Sequence, residues 1–120
     1  MPFDPKPYAE GLRRLNEAEA KRVSRRLDAA RDEAVRLAER IGEADPEIRR
    51  VYLFGSVAEG TPRSTDFDID LAVEGGDVHT AMGATELSDF RVDVVDLDRI
   101  SQHMRTRIVE SGRVLFDRTV

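Results

Sequence analysis

The 120-residue chain contains no cysteine and no tryptophan. Without thiols there is neither a disulfide framework nor a thiolate metal site, so a bridge-stabilised secreted scaffold and zinc-finger chemistry are excluded. Aromatic residues make up only 6%, and no apolar run approaches the roughly 20 residues that span a bilayer. A membrane-spanning role is excluded with them. The opening MPFDPKPYAE has neither the basic start nor the apolar stretch of a secretory signal, so a cytoplasmic location is expected. A surplus of cations is missing too: 19 Lys and Arg stand against 24 Asp and Glu. The deficit is concentrated. Ala9 to Glu43 is nearly balanced, with nine basic and eight acidic residues, whereas Ala44 to Val120 has nine against fifteen. An acidic globular half argues against non-specific nucleic-acid binding, which needs a cationic surface, and leaves room for a bound cation.

What is present divides the chain. At 13.5 kDa it has one domain's length, too short to join a catalytic domain to a separate substrate domain. Pro2, Pro5 and Pro7 predict an extended arm over residues 1–8. Leu12, Leu15, Val23, Leu27, Ala30, Ala34, Leu37 and Ile41 then recur at spacings of three and four, the stripe of an amphipathic helical segment over residues 9–45. Between Leu15 and Val23 the stripe slips phase, compatible with two helices or with one long helix weakly packed at its middle. Gly42 and Pro46 are expected to close it. A helix from Ala9 to Glu43 would be about 50 Å long, more than a small domain can cover. Its N-terminal half is therefore expected to contact another chain, either a second copy or a different protein.

Residues 46–120 read as the globular domain. Val51 to Phe54 is a short apolar run of β-formers ended by Gly55 and Ser56. FDIDLAV, Phe67 to Val73, alternates, with Phe67, Ile69, Leu71 and Val73 on the core face. A helix is expected around Val78 to Leu87, weakened by Gly83, and VDVVDL from Val92 to Leu97 is a third strand. Ile100, Met104 and Ile108 mark a last helix before Gly112, and Val114 to Phe116 a short edge strand. The expected fold class is α/β, in its α+β form: a small mixed β-sheet flanked by helices, with a long N-terminal helix.

The chemistry is concentrated in three aspartates. Asp66, Asp68 and Asp70 stand at i, i+2 and i+4, which strand alternation places on one face about 6.5 to 7 Å apart. Aspartate is a poor β-former, and like charges in a row repel, so such a face calls for a positive partner. A hard divalent cation with oxygen ligands is the natural candidate, although an exposed acidic edge that blocks aggregation is the plainer alternative. Gly55 and Ser56 favour the first: glycine lets backbone approach a ligand, and serine offers a hydroxyl and an amide to phosphate oxygens.

The run LFGSVAEGTPRSTDFDIDLAVEG, with VDVVDL and the closing IVESGRVLF, resembles a minimal nucleotidyltransferase of the DNA polymerase beta superfamily. The likeness covers about Val51 to Phe116 and implies the nucleotidyltransferase fold. It implies Gly55 and Ser56 as nucleotide-binding residues. It also implies Asp68, Asp70 and Asp93 as catalytic, metal-holding carboxylates, with Asp66 an alternative to Asp70. Asp93 matches better than Asp96, which lies three residues on and on the opposite strand face. Implied cofactors are two Mg²⁺ ions, with ATP or another nucleoside triphosphate as substrate. Glu59 departs from the family's basic residue, and Arg63 is a candidate to replace that charge. His79 and His103 have no partner motif, and Arg99 with His103 does not reproduce the spacing of a HEPN ribonuclease. Minimal nucleotidyltransferases resemble the antitoxin partners of HEPN-domain toxins, which implies transfer of AMP to a hydroxyl of a partner toxin. A catalytically idle module that neutralises a partner by contact, and a transferase acting on a small-molecule hydroxyl, are the alternatives.

Overall fold

The computed structural model describes the backbone of residues 6–119 and the side chains of residues 16–119. A single helix, α1 (Lys6–Ala44), precedes β1 (Arg50–Phe54), a one-turn helix α2 (Gly55–Glu59) and β2 (Ile69–Glu74). Helix α3 (Val78–Thr85), β3 (Val92–Asp96), α4 (Gln102–Ser111) and β4 (Arg113–Asp117) complete the order. The sheet runs β3-β2-β1-β4, with β1 antiparallel to β2 and β4 and β2 parallel to β3. It is the small mixed sheet flanked by helices that the sequence predicts.

The phase slip does not divide α1. Its helix begins at Lys6, so residues 6–8 of the expected arm are helical. Proline at the first turn removes only an N–H that has no intrahelical partner there. Residues 1–5 of that arm lie outside the described residues, as do the side chains of Leu12 and Leu15. From Val23 onward the stripe is buried except for the half-buried Leu27, with Ala30, Ala34, Leu37, Ala38 and Ile41 fully inaccessible. Residues 16–22 contribute nothing to the core. At 1.5 Å per residue α1 is about 58 Å long. The radius of gyration is 18.7 Å, where a compact chain of this length has about 14 Å. Gly42 does not end the helix. It is buried within it, and a Cβ there would meet the Phe116 ring on β4 at 2.5 Å.

Two layers flank the sheet. Val51, Leu53, Ile69, Leu71, Val73 and Val94 face α1 and α3 in the main core. Tyr52 and Ala72, on the other face, pack against Ile108 of α4 with Leu97. Burying a Leu or Ile side chain stabilises by about 1.5–3 kcal/mol, so the larger cluster dominates the fold's stability.

Several boundaries differ from expectation for identifiable reasons. β2 starts at Ile69, not Phe67. β1 ends at Phe54 opposite Asp70 and β3 begins at Val92 opposite Ile69, so residues 67 and 68 have no strand on either side to pair with. Phe67 still packs on the core. Helix α3 stops at Thr85, short of Leu87, which is 94% exposed. Ser101 caps α4 by accepting from Met104 N at 3.2 Å, so Ile100 precedes the helix. Met104, expected on its apolar face, is 41% exposed.

Candidate active site

The site begins where β1 turns into α2. Phe54 pairs with Asp70 across the sheet, and the next residue, Gly55, adopts φ +75°. A Cβ on Gly55 would be strained in that conformation and would collide with Asp70 Oδ2. Only glycine lets the chain turn this close to the carboxylate. Ser56 follows in the first turn of α2, half-buried, while Val57 and Ala58 anchor the turn in the core. Gly60 closes α2 at φ +72°, donating to Ser56 O at 2.8 Å. From α1, Arg31 reaches across to the same turn, its Nε donating to Val57 O at 3.0 Å and its Nη2 to Ala58 O at 3.4 Å. The long helix thus holds the C-terminal carbonyls of the turn that carries Ser56.

Parallel pairing supplies the carboxylates. Asp70 on β2 and Asp93 on β3 are register partners and share one face, while Asp96 pairs with Val73 on the other. Asp96 instead closes a turn, accepting from Asp98 N at 2.9 Å, and its Oδ2 lies 3.5 Å from Arg99 Nε. Asp93 is exposed and Asp70 half-buried. Burial, then the charges of Asp93 and Asp68, push the Asp70 carboxyl up to about 6.

Asp66 and Asp68 precede the strand, and both meet Arg91. Asp66 ion-pairs with Arg91 Nη2, and Asp68 Oδ1 lies 2.8 Å from Arg91 Nε. That second contact is an ion pair by distance only, because Asp68 Oδ1 is buried and has no hydrogen-bond partner. Both carboxylates raise the pKa of the Arg91 guanidinium. Sequence reasoning missed this residue, although the signal was present: Arg91 is the single Lys or Arg between Arg63 and Arg99, amid ten carboxylates.

Among the described residues no three His, Cys, Asp or Glu side chains close into a ready-made metal cage. The donor set nonetheless fits a hard divalent ion. It comprises carboxylate oxygens, among them the buried Asp68 Oδ1, which faces the Arg91 guanidinium without a hydrogen bond, and an Asp70 whose charged form burial and its neighbours disfavour. Mg²⁺ needs only one or two protein carboxylates when substrate phosphates complete its shell.

The remaining candidates fall elsewhere. Glu59 is exposed at the rim of a cleft of about 220 Å³ beside Gly55, which also holds Met104 and Arg107. Arg107, not foreseen from the sequence, is the cation of this cleft. Arg63 lies instead in a groove against α1, with Val23, Leu27 and Pro62. His79 is exposed at the start of α3, and His103 is exposed on α4.

A family model described as Polymerase beta, Nucleotidyltransferase matches residues 38–119. None of the curated proteins matches the chain. Among solved structures, a toxin–antitoxin complex crystallised with AMP-PNP contains a chain 28% identical. The match covers 68% of this chain and 70% of that one, at a TM-score of 0.55. A mutant of the MntA toxin–antitoxin complex is also 28% identical, with coverage of 74% and 73% and the same TM-score. A complex of tri-AMPylated Shewanella oneidensis HEPN toxin with MNT antitoxin is 24% identical over 76% and 72%, at a TM-score of 0.51, a likeness of fold.

Proposed function

Because the chain belongs to the polymerase beta nucleotidyltransferase family, we propose that it transfers AMP from ATP to a hydroxyl of a partner protein, acting in the cytoplasm as the antitoxin of a HEPN-type toxin. The observation that carries this reading is the pairing of Asp70 with Asp93 on one sheet face, with Gly55 closed against Asp70. In this reading residues 46–120 form the catalytic unit and α1 the partner-contact element. Gly55 and Ser56 bind the triphosphate. Asp68, Asp70 and Asp93 hold Mg²⁺, two ions in the full arrangement, with Asp66 the alternative to Asp70. Bound there, the metal would neutralise charge on the α-phosphate and on the entering and leaving oxygens. The acceptor oxygen bonds to the α-phosphorus, the bond from that phosphorus to the β-bridging oxygen breaks, and pyrophosphate leaves. Asp93, exposed beside Asp70, takes the hydroxyl proton. Support for ATP comes from the 28%-identical complex crystallised with AMP-PNP, and support for a toxin partner from the same complex.

One observation favours a second reading, a catalytically idle module that neutralises its partner by contact: Arg91 already occupies Asp66 and Asp68, as a cation would. A single assay separates the two. The purified chain is incubated with Mg²⁺, α-labelled ATP and the product of the adjacent gene. Label on the partner, lost with Asp70→Asn, supports the transferase. Inhibition of the partner without label supports the contact module.

A further inference from the structure

The acceptor must enter from somewhere, and the strand order limits the choice. Gly55 and Ser56 lie at the end of β1, Asp70 lies on the neighbouring strand β2, and Asp93 on the edge strand β3. In an in-line displacement the entering and leaving oxygens stand on opposite sides of the phosphorus. With pyrophosphate leaving on the Gly55 side, the hydroxyl must approach from the β3 side.

A cleft of about 540 Å³ opens there, between α3 and β3. Asp68 and Asp93 line it, so it is continuous with the carboxylates, and Met82, Thr85 and Phe90 form its wall. Met82 is 41% exposed, and Leu87, two residues past the end of α3, is almost fully exposed. The lining runs without a break from Phe90 to Val94, along a strand that has no outer neighbour among the described residues. Such an edge offers main-chain hydrogen-bonding groups to an extended polypeptide.

Charge selects the occupant. Glu86 lies in the cleft and Asp89 is exposed beside it, and with Asp93 they enter no ion pair among the described residues. The two cations nearby are already engaged: Arg91 with Asp66 and Asp68, and Arg26 over the Phe90 ring at 3.8 Å. We infer that the cleft between α3 and β3 is the acceptor subsite and takes an extended, cationic polypeptide segment that presents the hydroxyl to Asp93. The inference rests on the transferase reading for the chemistry, in which AMP replaces the hydroxyl proton and pyrophosphate departs, but not for the docking.

The test uses the full chain, Mg²⁺ and two synthetic 12-residue peptides of equal length. Each carries one central tyrosine and one serine, flanked by lysines in one peptide and by glutamates in the other. Binding is read by fluorescence anisotropy with labelled peptide, and transfer with α-labelled ATP. The lysine peptide is expected to bind at least tenfold more tightly than the glutamate peptide, and to take up the label. The exposed double substitution Glu86→Lys with Asp89→Lys should reduce that preference to threefold or less. Its affinity for AMP-PNP should remain that of the parent. Equal preference in parent and double variant, or preference for the glutamate peptide, overturns the docking surface whatever the label does. Lysine-peptide binding that the double variant loses, with no label transferred by the parent, overturns the transferase reading and leaves the docking surface standing.

Discussion

The two faces of the sheet are finished differently. The face under α1 and α3 carries Val51, Leu53, Ile69, Leu71 and Val73 with essentially no exposure. The opposite face has a smaller apolar cluster around Tyr52 and Ala72, and its other positions bear charge: Asp70, Asp93, and Glu74 held by Arg50 at 3.0 Å. Helix α4 covers this face through Ile108 in the apolar cluster and through Arg105, whose Nη2 lies 3.6 Å from Glu74 Oε1. The sealed face supplies stability. The open face holds Asp70 half-buried and Asp93 exposed, within reach of solvent, and the cost of their repulsion falls on the stability that the other face provides.

The largest effect expected from breaking this division is catalytic. Asp70→Asn and Asp93→Asn should each reduce the proposed AMP transfer by about a hundredfold or more, the scale of losing a positioned acid–base or charge-bearing group. Asp96→Asn, on the other face, should keep activity within a few fold. Labelled-ATP assays on the three variants decide it, and a dead Asp96→Asn beside an active Asp93→Asn would reverse the assignment. On the sealed face the loss should be structural. Leu71→Ala should cost about 2–5 kcal/mol in denaturant unfolding, against almost nothing for the exposed Asp93→Asn.

Strand period made much of this legible, because alternation is a local property of the chain. It put Ile69, Leu71 and Val73 on the core face and separated Asp93 from Asp96 before any partner strand was known. What it could not give was the start of β2, which depends on where β1 and β3 end, or the pairing of Asp66 and Asp68 with Arg91, more than 20 residues away. The motif around Gly55 pointed to a phosphate site, but the reason for glycine there is the Asp70 carboxylate behind it. Arg31 was invisible for the same reason. On the helix it is one more charge in a mixed stripe, and its function depends on carbonyls 26 and 27 residues away.

That contact gives a smaller, sharper test, because it links the sealed face to the site. Arg31 is the side chain through which α1 grips the carbonyls of α2. Arg31→Met keeps the aliphatic stem and removes the two hydrogen bonds, at a cost of about 1–3 kcal/mol. Disorder of the turn should weaken the binding of AMP-PNP about tenfold, while transfer at saturating ATP falls less. An unchanged nucleotide affinity, with stability reduced by the same amount, would confine Arg31 to holding the fold together.

The smallest effect concerns the pH dependence of the open face. Asp70 is pushed up to about 6 from an ordinary 3.8, first by burial and then by Asp93 and Asp68. The folded state therefore holds this proton more tightly than the unfolded chain does. Stability from this group is present in full below the unfolded value and is lost as pH rises through about 6. Glu33, Asp45, Asp98 and Asp117 are shifted the other way, by hydrogen bonds and nearby arginines, and their contribution is lost only as pH falls below the ordinary carboxylate range. Among the described carboxylates, Asp70 is the one whose shift falls in the window from pH 5 to 7.5. In metal-free buffer the Tm of the parent should fall by a few degrees across that window, and the Tm of Asp70→Asn should stay nearly level. Millimolar Mg²⁺ with AMP-PNP should remove most of the parent's decline, since a cation stabilises the ionised form that burial disfavours. A parent curve as level as that of Asp70→Asn without metal would mean that solvent already relieves the Asp70 charge, and that the open face carries no electrostatic strain for a cation to release.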